Sequence, residues 1–247
     1  MRFGDGERRR RVSRSPGLER FHPSRVPAKS ARLDVRLREE MTAYRRWGKR
    51  GLDLVVLLAA SPFVLPVVIL VALAVRLQLG SPVFFCQVRS GCRAKVFTLL
   101  KFRTMTTACD LRGTLLPDGD RLTRLGRFLR RFSLDELPQV WNVLIGDMSL
   151  VGPRPLPMQY LSRYSPEQSR RHEVKPGLTG WAQVNGRNAI SWEERFGLDV
   201  WYADHWSLGL DLKIILKTIR SVLLREGISQ NGHPTMPEFM GSDRMGP

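Results

Sequence analysis

The stretch LVVLLAASPFVLPVVILVALAV, residues 54–75, carries no charged side chain and decides how the rest of the chain must be arranged. A run of this length is enough to cross the roughly 30 Å hydrocarbon core of a bilayer as a helix. A single crossing is the simplest reading, and two features oppose it. Pro62 and Pro66 sit mid-run, each removing a backbone donor and crowding the carbonyl four residues earlier. Both flanks are basic: Arg45, Arg46, Lys49 and Arg50 precede the run, and Arg76, Arg89, Arg93, Lys95, Lys101 and Arg103 follow it before the first acid, Asp110. Basic flanks stay on the cytoplasmic side, so both ends are expected there. A re-entrant helix, broken at Ser61-Pro62 and returning to the same face, meets both demands. The Ser61 hydroxyl is then available to a carbonyl left free by the proline. The run is not read as a cleavable leader, because the charged region before it is about twice too long.

Upstream, residues 1–50 hold 16 Lys/Arg against 6 Asp/Glu, which is +10 of the formal net charge of +17. Residues 1–32 show no apolar period and read as a flexible basic arm. No nucleic-acid-binding motif follows the arm, so the expected partner is an anionic membrane phospholipid surface and not a nucleic acid. The membrane helix is assigned to 33–80, a folded cytoplasmic-face domain to 81–226, and a loose tail rich in Gly, Pro and polar residues to 227–247. Cys86, Cys92 and Cys109 form no C-x-x-C pair and suggest a reducing compartment. The four histidines are dispersed, so any metal is expected to be held by oxygen.

Downstream, PVFFCQVRSGCRAKVFTLLKFRTM (82–105) reads as a hairpin turning at Ser90-Gly91, with Lys101 and Arg103 at its end. RLTRLGRFLRRF (121–132) reads as a basic amphipathic helix with Leu122, Leu125, Phe128, Leu129 and Phe132 on one face. DLKIILKTIRSVLLRE (211–226) repeats that theme, with Asp211 placed as its N-cap. The fold class is mainly α with a small β-hairpin (α+β), monotopic, with interfacial amphipathic helices.

Chemistry concentrates in RRFSLDELPQVWNVL, residues 130–144, where Asp135 and Glu136 stand side by side in a basic chain. One reading is a capping box, with Ser133 as N-cap and Glu136 at N3. A helix starting near Asp135 suits Pro138 better. Either way the acids stand at a helix entrance. Gly152, Pro153 and Pro155 fix a rigid path around Arg154, which suits a guanidinium forking onto phosphate. Pro176, Gly177, Gly180 and Gly186 are expected to let backbone approach a ligand beside Lys175 and Arg187.

SPFVLP, KFRTM, RLTRLGRFLRRFSLDELPQVWNVLIGDMSLVGPRPLP, RRHEVKPGLTGWAQVNGRN and LDLKI, in that order, resemble the bacterial initiating sugar transferases, the monotopic polyprenyl-phosphate phosphoglycosyl transferases. The likeness runs over about residues 45–240 and is nearest to the small single-domain members. It implies transfer of a sugar 1-phosphate from a UDP-sugar to polyprenyl (undecaprenyl) phosphate, with Mg²⁺ and release of UMP, at the cytoplasmic face of the bacterial inner membrane. It implies Asp135 as nucleophile, forming a covalent phosphosugar intermediate and contributing to the metal site, with Glu136 as its partner. Lys101, Arg103, Arg154 and Pro155 are implied to hold phosphate, with Arg187 and Asp211 in matching motifs. Ala94 departs from the glycine usual at that point of the hairpin turn, which puts the turn geometry in question. The resemblance leaves open which UDP-sugar is used and whether the chain forms a homodimer. The reading from another class is a non-enzymatic, membrane-anchored scaffold for anionic lipid, which gives the paired acids no task.

Overall fold

A computed structural model describes residues 43–186, 190–224 and 238–241. The basic arm and Arg187 lie outside the described residues. A π-helical turn, Tyr44–Gly48, leads directly into α1, Lys49–Leu79. By length and composition α1 is able to cross a membrane. Its middle points away from the protein: Leu58 is 75% exposed and Phe63 78%. Such surface costs roughly 25 cal/mol per Å² in water, so hydrocarbon is the solvent that suits it.

The break expected at Ser61-Pro62 is not an interruption, since helix continues through both prolines. Pro62 strips the Leu58 carbonyl of its helical donor, and Ser61 Oγ donates to that carbonyl at 2.8 Å. The two halves of α1 are both claimed by the folded body. Val56 and Leu57 pack on the core of Val143, Met148, Val151 and Tyr202. Val71 and Val75 pack with Phe102 and Leu129. The exposed Leu58, Phe63 and Leu65 lie between these contacts.

The basic flank before the apolar run is partly spent inside the fold. Lys49 Nζ meets Asp211 at 2.6 Å. Arg50 donates to the Val143 and Leu144 carbonyls. Asp53, on the next turn, accepts from Ser149 Oγ and the Leu150 N–H, each at 3.0 Å.

β1 (Phe84–Ser90) and β2 (Val96–Phe102) form the expected antiparallel hairpin, running from Phe84 opposite Phe102 to Ser90 opposite Val96. Arg93 and Ala94 in its turn have φ of 54° and 57°. Ala94 thus occupies a left-handed position that disfavours a side chain by roughly 1 kcal/mol. The helix expected over 121–132 divides. α2 (Asp118–Arg121) ends before Leu122, and α3 (Arg124–Arg131) is capped by Thr123, whose hydroxyl accepts the Gly126 N–H at 2.9 Å. Leu125 and Leu129 face the core with Val71 and Val75, leaving Phe128 half exposed.

A 3-10 turn, Leu134–Glu136, precedes α4, Gln139–Ile145. β3 (Ser149–Val151) pairs in parallel with β4 (Gly177–Thr179). Between them lie the 3-10 turn Met158–Arg163, α5 (Pro166–Ser169) and the 3-10 turn Arg170–Glu173. Gly177 and Gly180, read as letting backbone approach a ligand, instead make room for the Gly152 loop. A Cβ on Gly177 would stand 2.0 Å from the Gly152 nitrogen, and one on Gly152 would stand 2.2 Å from the Lys175 carbonyl. Side chains there would force the two loops apart.

α6 (Trp181–Asn185), α7 (Trp192–His205) and α8 (Leu208–Leu224) complete the body. Ser207, not Asp211, stands at the α8 entrance, accepting the Leu210 N–H at 3.4 Å. Ile214 is buried, whereas Leu212, Leu216 and Ile219 are exposed. The tail read as loose contains a packed piece: Phe239 is fully buried among Tyr160, Trp192 and Phe196, and Glu238 pairs with Arg163 at 2.8 Å.

Candidate active site

The adjacent acids sit on the short 3-10 turn. Ser133, before them, has φ 55° and makes no side-chain cap, so the capping-box reading fails. A non-glycine residue held in the left-handed region is mildly strained, a condition that collects at functional sites. The strained residue follows α3 closely and opens the turn Leu134–Glu136 that carries both acids.

The two carboxylates are treated differently. Glu136 receives Lys101 Nζ at 2.8 Å and both terminal nitrogens of Arg154, one of them at 3.3 Å. Asp135 is 8% exposed and has no hydrogen bond or ion pair among the described residues. Burial raises the Asp135 carboxyl above the usual aspartate range, and the neighbouring Glu136 charge raises it further, against the pull of Lys101, Arg130 and Arg154. Burial would raise Glu136 too, but Arg154 and Lys101 outweigh it and hold that carboxyl well below the usual range. Glu136 is therefore a fixed anion. Asp135 is the carboxylate with capacity to spare.

Long-range contacts place the cations. Asn142 on α4 pairs with β2 as a strand would, accepting the Leu100 N–H at 3.1 Å and donating to the Thr98 carbonyl at 2.7 Å. This ties the helix that follows the acids to the strand carrying Lys101. The Arg154 loop is held from behind by Arg171, which donates to the Arg154 carbonyl at 2.8 Å and pairs with buried Asp199 at 2.7 Å. Neither Asn142 nor Asp199 is singled out by sequence. Their partners are tens of residues away, and a lone Asn or Asp inside a helix carries no local signal.

The other residues expected at the site divide. Pro155 lies next to Arg154, and its carbonyl accepts from Arg89 at 3.4 Å. Arg103 donates to the Ser81 carbonyl at 3.1 Å, which ties it to the exit of α1, and its Nε has no partner. Asp211 is not brought to the acids. It is fully buried, with Tyr44, Lys49 and Tyr202 on its two oxygens, so it joins α8 to the start of α1. Arg187 lies outside the described residues. Among the described residues no three His, Cys, Asp or Glu gather as a ligand set. Mg²⁺ needs only one or two carboxylates when phosphates supply further oxygens, and Asp135 fits that part.

The chain is similar to several known proteins. The chain is 63% identical over 177 residues to the uncharacterized sugar transferase EpsL of Bacillus subtilis, covering 71% of this chain and 88% of that one. It is 42% identical over 186 residues to the UDP-glucose:undecaprenyl-phosphate glucose-1-phosphate transferase of Caulobacter vibrioides, covering 71% and 69%. It is 41% identical over 229 residues to the undecaprenyl-phosphate glucose phosphotransferase of Komagataeibacter xylinus, covering 87% of this chain but 41% of that longer protein. The family model described as bacterial sugar transferase matches residues 44–225, a span that holds α1, both acids and both cations, and the chain therefore belongs to the bacterial sugar transferase family.

Proposed function

We propose that this protein transfers a sugar 1-phosphate from a UDP-sugar to polyprenyl (undecaprenyl) phosphate, by way of a phosphosugar carried on Asp135. The observation that carries the reading is the asymmetry of the two acids: Glu136 is saturated by Lys101 and Arg154, while Asp135 is buried and unpaired among the described residues. A diphosphate repels a carboxylate, so the site must supply positive charge before attack. Lys101 and Arg154 supply it, and Glu136 keeps them beside Asp135 without spending all their donors. Asp135 Oδ then attacks the sugar-bearing phosphorus, the bond to the bridging oxygen breaks, and UMP leaves with that electron pair. An oxygen of the polyprenyl phosphate attacks the same phosphorus in turn, and the Asp135 carboxylate is restored. Mg²⁺, held by Asp135 together with the substrate phosphates, would add neutralising charge.

The long apolar helix supports a membrane location for this chemistry, where the lipid acceptor resides. Both halves of α1 pack on one body, and both flanks are basic. This supports a re-entrant course with both ends at the cytoplasmic face of the inner membrane. The relatives are named for glucose, galactose and N-acetylgalactosamine transfer, so a panel of UDP-sugars is needed to find the donor.

The test is mass spectrometry of protein quenched during turnover. The expected result is one phosphosugar on residue 135, absent in Asp135→Asn, which also fails to release UMP while keeping its thermal midpoint. An Asp135→Asn protein that still released UMP would overturn the mechanism.

A further inference from the structure

We propose that Arg89 is a further phosphate-binding residue of this site, taking an anionic oxygen of a substrate beside Arg154; the proposal deepens the function above and rests on it. Arg89 stands opposite Phe97 on the sheet face that also carries Lys101, which stands opposite Phe85. Four residues along the strand separate the two positions, or about 13 Å. The Arg154 loop lies against Arg89, whose backbone bridges Pro157.

Arg89 is a cation without an anion. Its two terminal nitrogens donate to the Pro155 carbonyl at 3.4 Å and to Gln87 Oε1 at 2.5 Å, both neutral acceptors. Its Nε–H is buried with no partner. Among the described residues it forms no ion pair, whereas Arg154 has Glu136 and Arg171 has Asp199. Burial, and then the like charge of Arg154, push the Arg89 guanidinium down to about 10. Arg89 and Arg154 repel each other, and a multiply charged anion bound by both would stabilise the two together. Phosphate is that group, since its oxygens accept from more than one planar fork. The donor diphosphate and the acceptor phosphate share this chemistry.

The experiment measures the two KM values separately for Arg89→Gln, as full chain in lipid nanodiscs, with UDP-sugar and undecaprenyl phosphate as variable substrates. We expect one KM to rise about tenfold, the worth of one charge-assisted hydrogen bond, with the residue-135 adduct still formed at saturating donor. A rise for UDP-sugar assigns Arg89 to the donor, and a rise for undecaprenyl phosphate assigns it to the acceptor. Two unchanged KM values overturn the proposal. A second measurement needs no variant: phenylglyoxal labelling of the wild-type chain, mapped by peptide mass, should show Arg89 protected by UMP or by undecaprenyl phosphate. Equal labelling with and without both ligands also overturns it. The wild-type adduct at residue 135 reports on the underlying reaction independently, so its absence would sink that reading whatever Arg89 does.

Discussion

Two acids in this protein each collect a set of donors, and they come to opposite ends. Asp211 takes Tyr44 at 2.5 Å, Lys49 at 2.6 Å and Tyr202 at 2.7 Å, and is sealed from solvent. Glu136 takes Lys101 and Arg154, but the Arg154 side chain stays 39% exposed. Around Asp211 the acid's oxygens are filled and walled in, so the cluster fastens α1 to α8. Around Glu136 the cations retain unspent N–H groups and an open side, so the cluster can accept an anion. Openness, more than residue type, separates a staple from a site.

Removing the sealed acid should have the largest effect. Asp211→Ala leaves Lys49 buried without its counter-charge, a change that typically costs about 3–5 kcal/mol. Denaturant unfolding should show that loss, with activity falling in step with the folded fraction. A stable Asp211→Ala protein with a raised substrate KM would instead move Asp211 into the site.

Glu136→Gln should do the reverse, lowering kcat roughly 10²–10³-fold, as loss of one preorganised electrostatic group does, with a modest change in stability. The acid limb of kcat/KM should lie above the ordinary aspartate range in the wild-type protein, because burial and Glu136 raise Asp135. The limb should move to lower pH in Glu136→Gln, since removing a neighbouring negative charge favours the ionised Asp135 carboxylate.

Acid should loosen the open region before the sealed one. His172 donates its Nδ1–H to the Gly91 carbonyl at 3.0 Å and adjoins Arg171, which holds the Arg154 loop. Burial, and then Arg171, lower it to about 4. Its folded value is below its unfolded value near 6.5, so its contribution is complete above about pH 6.5 and is lost as pH falls toward 4. The difference corresponds to about 3 kcal/mol. Unfolding free energy measured across that window should fall steeply in the wild type and more gently in His172→Asn.

The smallest effect concerns the hairpin turn, remote from both acids in its chemistry. Ala94→Gly relieves a left-handed alanine and should raise stability by about 0.5–1 kcal/mol, with kcat unchanged. A loss of stability would show that Ala94 contributes packing that outweighs its backbone conformation.

What the sequence discloses is what it writes locally. The apolar run of α1, the Ser90-Gly91 hairpin and the Asp135-Glu136 pair are each contained in a short window. Even the Ser61 hydroxyl meets the carbonyl that Pro62 leaves free. Misreadings arise where a local pattern has a distant competitor. Ser133 spells a cap but is turned left-handed, and Asp211 spells an N-cap but is claimed by Tyr44, 167 positions away. Gly177 and Gly180 signal close approach without naming the approaching group, which proves to be the Gly152 loop. Arg89 looks like one flanking charge among many until the fold sets it against Arg154.

Under the proposed reaction, the bare apolar middle of α1 changes how encounter with the lipid acceptor should be counted. A protein held in a bilayer by such a belt would meet a prenyl phosphate by searching a plane, whereas a nucleotide sugar would arrive from three-dimensional solution. Acceptor saturation should therefore follow mole fraction in the bilayer. Adding inert lipid at constant total acceptor should slow the reaction, while diluting the vesicles at constant composition should leave the acceptor dependence in place.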